Sequence, residues 1–191
     1  IVNQHSSLLT DNFETIFNNN KFSVDEDYTS YLTMATIENM KSEPNYQEQL
    51  DSYFNKLVDK YHLVRSYIYK NSIENIIRFP INLYKIINDI KFKFSIKSTV
   101  LSNISPLYII KRIQELEQFI MDNDGVELFI ILIYEYLSPK KIVKVNKLNK
   151  IGFDYLIEHI KLEYNKSKVE ISEMVGPIAA QSIGEPATQM T

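Results

Sequence analysis

The stretch MVGPIAAQSIGEPATQMT, residues 174–191, carries most of what this sequence says about its fold and its function. Small residues recur along it at intervals of four, at Gly176, Ala180 and Gly184. On a helix this spacing places them on one face, where a second backbone can approach closely. The spacing therefore predicts a helix that packs tightly against another element.

Two residues predict where this helix is interrupted. Gly184 favours a left-handed helix stop, and Pro186 suits the first turn of a new helix that begins PATQMT. Gln181 and Ser182 break the apolar run, and if they are buried they need partners, because an unpaired buried polar group costs about 1–3 kcal/mol. We expect a helix-turn-helix over residues 169–191. Because the chain ends within the second helix, we also expect a piece of a longer polypeptide. On spacing alone, a packed helical corner without chemistry is the alternative.

The string AAQSIGEPATQMT, residues 179–191, resembles the signature of the largest (β′-like) subunit of multisubunit DNA-dependent RNA polymerases. Upstream segments support the resemblance. Phe79-Pro80-Ile81-Asn82, followed by KII at 85–87, is similar to the family's "PVN…RII" segment, and NKIGFDYL at 149–156 resembles its "LTKQAFDWV" helix. Residues 46–69 resemble the long charged helix before "PVN". The resemblance covers most of the chain from about Tyr46 onward and is weak before it. It indicates an enzyme of the eukaryotic-like or large-DNA-virus type.

This resemblance implies a helical segment spanning the family's "foot" region and the start of the helix that leads into the trigger loop, the hairpin that closes over the incoming nucleotide. Gln189 matches a glutamine that lies near the sugar of the bound nucleotide in the family. A glutamine amide both donates and accepts hydrogen bonds, so it can contact a ribose hydroxyl. The residues expected to support the trigger loop are Gly176, Ala180, Gln181, Ser182, Gly184, Glu185 and Pro186.

Two positions depart from the family pattern at the entry to this helix. Ser172 stands where many relatives have glycine before the Glu-Met pair. Pro177 falls in the first helical turn, where a proline is sterically tolerable. Neither departure affects Gln189.

The resemblance also implies partners that lie outside this chain: other RNA polymerase subunits, template DNA, RNA and a nucleoside triphosphate. In the family, magnesium is held by an "NADFDGD"-type carboxylate loop, and this sequence contains no such loop. We expect no cofactor in this segment and no activity from the segment alone. The implied location is intracellular: the nucleus if the enzyme is cellular, the virion or host cytoplasm if it is viral.

Other candidate metal sites are weak. The densest acidic run, Asp25-Glu26-Asp27, lacks a glycine turn and apolar flanks, so a solvated face is the expected role. His5, His62 and His159 are far apart and are expected to be surface or core residues. The chain has no cysteine, which excludes disulfides and thiolate metal sites.

The charge balance limits the possible partners. A net charge of −3 and a pI near 5.7 argue against an independent nucleic-acid binder. One lysine-rich stretch is the exception: Lys140, Lys144 and Lys147 are predicted to share a helical face and could neutralise DNA phosphates. A solvated face without a partner is the alternative. No apolar run approaches the roughly 20 residues of a membrane span, so no membrane partner is expected.

Helical periodicity dominates the rest of the chain. Stripes of apolar residues predict helices after Pro44-Asn45, over 76–94, after Ser105-Pro106 and around 153–160. Residues 126–137 are apolar almost all round, which predicts the central helix of a core. Residues 92–97 alternate at period two, which is typical of a short strand or an extended linker.

We therefore predict a mainly α fold, a helical foot and cleft segment possibly with a small β element. Its predicted parts are residues 1–79, the first part of the foot-like region, 80–168, the helical core, and 169–191, the truncated helix-turn-helix. The expected function is support of template-directed RNA synthesis within a polymerase. A stand-alone helical protein–protein interaction module is the alternative.

Overall fold

The fold is mainly helical, with one small sheet. The computed structural model describes residues 2–4, 20–22, 28–64, 77–79, 81–97, 100–123 and 125–189. In this part of the chain, two strands, β1 (Val2–Gln4) and β2 (Ile77–Phe79), pair antiparallel with Val2 opposite Phe79. The α-helices are α1 (Met34–Ser42), α2 (Tyr46–Leu63), α3 (Leu83–Lys93), α4 (Pro106–Asp122), α5 (Glu127–Tyr136), α6 (Lys150–Lys166) and α7 (Val175–Gln189). A 3-10 turn (Tyr28–Ser30) and a short π-helix (Lys141–Val145) complete the described elements.

Helix α5 is buried on every side, which confirms the prediction of a central helix. All seven residues from Phe129 to Glu135 are buried, including the charged side chain of Glu135. The carboxylate of Glu135 lies 3.7 Å from the Lys141 ammonium, an opposite charge that offsets the cost of its burial. Helices α2, α3 and α4 all contact α5. Each large apolar side chain buried in this way contributes about 1.5–3 kcal/mol.

The predicted apolar stripes form the inner faces of the helices around α5. The stripe of α2 includes Leu50, Phe54, Leu57 and Tyr61, and that of α4 includes Ile109, Ile113, Leu116 and Ile120; all eight are buried. On α6, the predicted stripe of Phe153, Leu156, Ile157 and Ile160 is also buried. The helix positions read from the 3.6-residue period are therefore confirmed for α2, α4 and α6.

A chain of polar contacts joins α2, α4 and α5 within this core. The Tyr53 hydroxyl donates to the backbone oxygen of Tyr134 at 3.0 Å, and the two rings stack with centroids 5.2 Å apart. The Tyr134 hydroxyl donates to Glu117 Oε2 at 2.6 Å, and the Lys60 ammonium lies 3.4 Å from Glu117 Oε1. Burial raises the pKa of the Tyr53 and Tyr134 hydroxyls above that of a free tyrosine, which is itself protonated at neutral pH, so both are donors.

The predicted helix over 76–94 begins later than expected. Residues 77–79 form β2, and α3 starts at Leu83 with Asn82 as its cap, whose side-chain oxygen accepts from the Lys85 amide at 3.0 Å. The reason is local, since the residue before a proline is driven toward extended geometry and Phe79 precedes Pro80. The apolar stripe that predicted this helix includes Ile81, Ile87 and either Tyr84 or Lys85. Ile81 and Ile87 are buried, whereas Tyr84 and Lys85 are exposed.

The alternating stretch 92–97 is neither a strand nor an extended linker. Helix α3 continues to Lys93, and the chain then turns with Ser95 at a φ of 50°. Phe92 is 88% exposed, whereas Phe94 packs against Tyr155 with ring centroids 5.7 Å apart. Phe92 and Phe94 therefore do not share a buried face, as they would on a half-buried strand.

One continuous core runs across the predicted boundary between residues 79 and 80. It includes Phe22 near one end of the chain, Phe79 and Ile81 on either side of the boundary, and Ile160 on α6. From Asn165 to Pro186, by contrast, every side chain is exposed. The core is thus complete at α6, and α7 lies outside it.

Gly125, between α4 and α5, provides a test of this core. A Cβ built there would lie 2.1 Å from Ile120 Cγ2 and 2.5 Å from the Ile120 backbone oxygen. We expect Gly125→Ala to lower the free energy of unfolding by about 1–3 kcal/mol, because the α4–α5 turn must shift to admit the methyl group. Urea unfolding followed by circular dichroism measures this. An unchanged midpoint would mean that the turn is not packed as described.

Candidate functional site

The segment that carries the candidate site residues is a single helix. Helix α7 runs without interruption from Val175 to Gln189, so the predicted stop at Gly184 and the restart at Pro186 are wrong. No glycine in the described part of the chain has a positive φ, including Gly184. Glycine permits a left-handed stop but does not impose one, and here helical geometry continues through Pro186. Pro177 lies in the first turn, as predicted.

Local hydrogen bonds support α7 around its proline. Pro186 has no N–H, so the carbonyl of Ser182 loses its usual helical donor, a defect worth about 3 kcal/mol in a helix interior. On either side of it, the Ser182 hydroxyl donates to the Ile178 carbonyl at 2.9 Å, and the Thr188 hydroxyl donates to the Gly184 carbonyl at 2.7 Å. The Gln181 amide reaches Glu185 Oε1 at 3.5 Å. The side chains of Gln181, Ser182 and Thr188 thus bond within α7.

The smooth face of α7 is open, so the tight packing that its spacing predicts has no partner among the described residues. A Cβ added at Gly176 or Gly184 would meet nothing within 4 Å. Ile183, which is two helical turns after Gly176 and shares its face, is 74% exposed. Gln181 and Ser182 are exposed as well, so they do not need the buried partners considered above. Gln189 is the last residue of the helix, and its predicted contact with a sugar stays a prediction.

The connection from α6 to α7 contains a strained position. Ser172 has a φ of 77°, in the left-handed region that favours glycine. It is also the position at which the resemblance noted in the sequence implies a glycine. The serine at position 172 was therefore noticeable in the sequence as a departure from the family pattern. Spacing alone did not indicate that the backbone there is left-handed.

The three candidate DNA-proximal lysines do not share a regular helical face. The ordered π-helix ends at Val145, and Lys147 follows it in the left-handed region with a φ of 50°. The Lys140 ammonium donates to the Lys21 carbonyl at 3.0 Å, and the Lys144 ammonium lies 5.8 Å from the centroid of the Tyr31 ring. The prediction of one shared face is wrong because the helix changes type and then ends. Proximity to DNA stays a prediction.

Metal-binding side chains are dispersed in the described ranges. Nowhere in them do three or more histidine or acidic side chains form a group able to hold a metal ion. Asp25, Glu26 and Asp27, the densest acidic run, lie outside the described residues, as does His5. His62 is exposed, and His159 lies beside Tyr155 with ring centroids 5.9 Å apart, in keeping with surface and packing roles. Within the same ranges, no helix is both long and apolar enough to cross a bilayer.

Sequence reasoning missed the pairing of lysines with tyrosines. The Lys93 ammonium lies 4.0 Å from the centroid of the Tyr155 ring, and that of Lys150 lies 4.8 Å from the centroid of Tyr108. The partners are 62 and 42 residues apart along the chain, and no short motif signals such a pair. The sequence gives no more than the large number of lysine and tyrosine residues as an indication of this pairing.

Comparison with known proteins identifies the family of this helical core. The family model described as RNA polymerase Rpb1, domain 6, matches residues 1–167, a range that includes the segment before Tyr46, where the resemblance was weak. Two Trypanosoma brucei brucei proteins, DNA-directed RNA polymerase II subunits RPB1-A and RPB1-B, are each 32% identical over 137 residues, which is 60% of this chain and 8% of theirs. DNA-directed RNA polymerase subunit 1 of Acanthamoeba polyphaga mimivirus is 29% identical over 195 residues, 90% of this chain and 13% of its own. The matched region thus spans about a tenth of these relatives.

The strain at Ser172 gives a prediction for the entry to α7. We expect Ser172→Gly to relieve roughly 1–2 kcal/mol of left-handed strain and to raise the protection of the first α7 amides against hydrogen exchange. Ser167→Gly, in an ordinary right-handed conformation on the same connection, is the matched control and should lower local order. Equal effects of the two substitutions would show that strain at Ser172 does not control the connection.

Proposed function

This chain belongs to the RNA polymerase Rpb1 domain 6 family, and we propose that it works within the largest subunit of a DNA-dependent RNA polymerase as the helical platform that carries the trigger-loop helix. The core of α2 to α6 is the platform, and α7 is the helix that it presents. The chain spans 8% to 13% of the length of the curated relatives above, so the activity of the whole enzyme is part of this proposal.

The exposure of α7 is the observation that carries the proposal. The core is complete without α7. Even so, Gly176, Ala180 and Gly184 form a face of α7 whose small size would let another backbone approach closely. An exposed helix gains nothing from glycine, which costs about 1 kcal/mol relative to alanine in a helix interior. Two glycines on one open face are therefore best explained by a partner outside this chain.

The two sides of α7 would have different roles, one in packing and one in contact with the nucleotide. The smooth face would pack against a neighbouring part of the polymerase and fix the direction of the helix. Position 189 is seven residues, or two turns, after position 182, so it lies on the opposite side with Ser182 and Glu185. In this arrangement the helix is held by one side, while the other side faces the nucleotide.

Helix α7 would bend most easily at Gly184 and Pro186. The missing hydrogen bond at Pro186 and the flexible backbone of Gly184 lie two residues apart. The expected helix stop is absent from this structure, but the same residues would lower the cost of a bend when the trigger loop moves. We propose that the end of α7 beyond Gly184 follows this motion, whereas Val175 to Ile183 stay with the platform.

The proposed partners follow from the enzyme class. They are other polymerase subunits, template DNA, RNA and the incoming nucleoside triphosphate. Magnesium would be held by another part of the intact polymerase, because the sequence lacks the "NADFDGD"-type loop that the resemblance leads one to expect at the metal site. The locations predicted above stay predictions.

The first test of this function separates the fold of the chain from its docking. In the isolated chain, Gly184→Leu should leave the core intact and raise α7 helicity, because the added side chain meets open space and leucine favours helix by about 0.8 kcal/mol. In the assembled polymerase, the same change should slow RNA extension at least tenfold, because leucine would prevent close approach to the partner. Stopped-flow extension on a primed template measures this rate.

Gly125→Ala is the control with the opposite pattern, because its added methyl group would collide with Ile120 inside this chain. It should destabilise the chain, and any loss of extension should follow the loss of folded enzyme. If Gly184→Leu leaves the extension rate unchanged, the glycine face is free in the enzyme and the platform proposal fails.

The second test concerns selection of the sugar. If the Gln189 amide contacts the ribose hydroxyl, Gln189→Ala should reduce the preference for ribonucleotides over deoxyribonucleotides by roughly three- to tenfold, the equivalent of one neutral hydrogen bond. Competing single-nucleotide additions measure this ratio. The loss should appear in the rate of addition rather than in initial binding, because the contact forms on closure. Equal losses with both sugars would restrict Gln189 to a structural role.

A further inference from the structure

The last turn of α6 is held against the ends of two other helices by one tyrosine. The Tyr164 ring stacks on Phe129 of α5, with centroids 5.8 Å apart and planes inclined by 11°. It also meets Phe119 of α4 at 70°, with centroids 6.4 Å apart. Its hydroxyl donates to the carbonyl of Asn123, the residue that caps α4, at 3.5 Å. Tyr164 therefore joins α6 to both sides of the α4–α5 turn.

A lysine reinforces this contact from outside the core. The ammonium of Lys168, the second residue after α6, lies 3.2 Å from Asn123 Oδ1 and 5.4 Å from the centroid of the Tyr164 ring. Asn123 Nδ2 donates to the Phe119 carbonyl at 2.8 Å, which leaves Oδ1 to accept from the lysine. The positive charge is also favourable there, because the last carbonyls of α4 carry partial negative charge. We call Phe119, Asn123, Phe129, Tyr164 and Lys168 the Tyr164 cluster.

The connection from the Tyr164 cluster to α7 is short. Six residues, 169–174, separate Lys168 from the first residue of α7. Four of them form a turn, in which the Glu173 amide donates to the Glu170 carbonyl at 3.2 Å. Ser172 is the third residue of this turn, where one class of turn requires a positive φ such as its 77°. Because the connection is short and turned, a displacement of Lys168 would displace the start of α7 as well.

We propose that Tyr164 and Lys168 are positioning residues, and that the Tyr164 cluster fixes the place and the direction in which the chain leaves the core toward α7. The inference rests on the proposed function, since this direction matters to the enzyme if α7 is the helix that the platform presents. Every side chain from Asn165 to Pro186 is exposed, so α7 is not placed by burial in this core. Its direction would then depend on the last contacts of α6.

This role can be separated from the stability of the core. The fully buried stripe of α6 ends at Ile160, and Lys168 is exposed. Replacing Lys168 should therefore leave the core folded. Lys166 provides a matched control, because it lies on the same turn of α6 and its ammonium pairs within the helix, 3.0 Å from Glu163 Oε1.

The first arm of the test measures distances in the full 191-residue chain. The chain has no cysteine, so spin labels can be attached at Gln114→Cys on α4 and Met174→Cys at the end of the connection, both exposed positions. Pulsed electron paramagnetic resonance then gives the distribution of distances between the two labels. We expect a narrow distribution in the otherwise unaltered chain and with Lys166→Ala. With Lys168→Ala it should become roughly twice as wide, because the connection loses its contact with Asn123.

Two further measurements complete this arm. Lys168→Arg should restore the narrow distribution, since arginine keeps the charge and the donor groups. Urea unfolding should give the same midpoint for Lys168→Ala as for the unaltered chain, which shows that the broadening does not come from loss of the fold.

The second arm measures RNA extension by the assembled polymerase. Lys168→Ala should lower the maximal extension rate roughly fivefold, the upper range for one surface contact. The double variant Tyr164→Leu/Lys168→Ala should lower it at least roughly tenfold, because small misplacements of a working element are costly. The KM for the nucleotide should change less than the rate, since a displaced α7 would impair closure after binding. Lys168→Arg should restore the rate, and Lys166→Ala should leave it unchanged.

Two results would overturn the proposal. The first is an equal distance distribution in Lys168→Ala and Lys166→Ala. The second is an unchanged extension rate in Lys168→Ala while Gly184→Leu slows extension, which would leave the platform function standing without the positioning role. Failure of the platform function itself is seen separately, as an unchanged rate in Gly184→Leu; the role of the Tyr164 cluster in the enzyme would then fail with it.

Discussion

The burial of α5 on every side is the constraint on which the rest of the structure depends. A helix of ten residues with the sequence ELFIILIYEY cannot leave any side in water without exposing several large apolar side chains. Helices α2, α3 and α4 must therefore enclose it, and their inner stripes are spaced to do so. The contacts of Tyr53, Tyr134 and Glu117 then fix the relative positions of α2, α5 and α4, because a buried polar atom without a partner is costly.

Once α5 is enclosed, the chain after α6 has no core left to join. This explains why every side chain from Asn165 to Pro186 is exposed, although the segment includes large apolar residues such as Ile171 and Ile183. In a protein that worked alone, such residues would be a liability. In the proposed role they lie at the boundary between the platform and a helix that would find its partners elsewhere in the polymerase. The strained Ser172 sits at this boundary.

The sequence was informative wherever burial repeats at a helical period. The inner faces of α2, α4 and α6 and the all-round burial of α5 could be predicted. The hydrophobic pattern of a helix depends on many residues together, so one exception does not change the prediction. The start of α3, the turn after Lys93 and the end of the π-helix at Val145 could not, since each depends on one or two residues and on tertiary contacts such as that of Phe94 with Tyr155.

The candidate site shows the same limit. The small-residue face of α7 could be predicted from its spacing. The predicted break at Gly184 is wrong, because glycine and proline allow a break without requiring it. The lysine face failed for a related reason: periodicity predicts a shared face only if one helix type continues, and here it does not. The pairing of Lys93 with Tyr155 required the fold itself.

Hydrogen exchange along α7 is the most direct measurement of the central claim, that a finished core presents a helix to partners outside this chain. The amides of α7 should be compared in the isolated chain and in the assembled polymerase. In isolation, the helix should exchange rapidly, because a short exposed helix with glycines and an internal proline is marginally stable, while α5 stays protected. In the polymerase, the amides from Ile178 to Ile183 should become protected. Strong protection in the isolated chain, or equal lack of protection in both, would contradict the account.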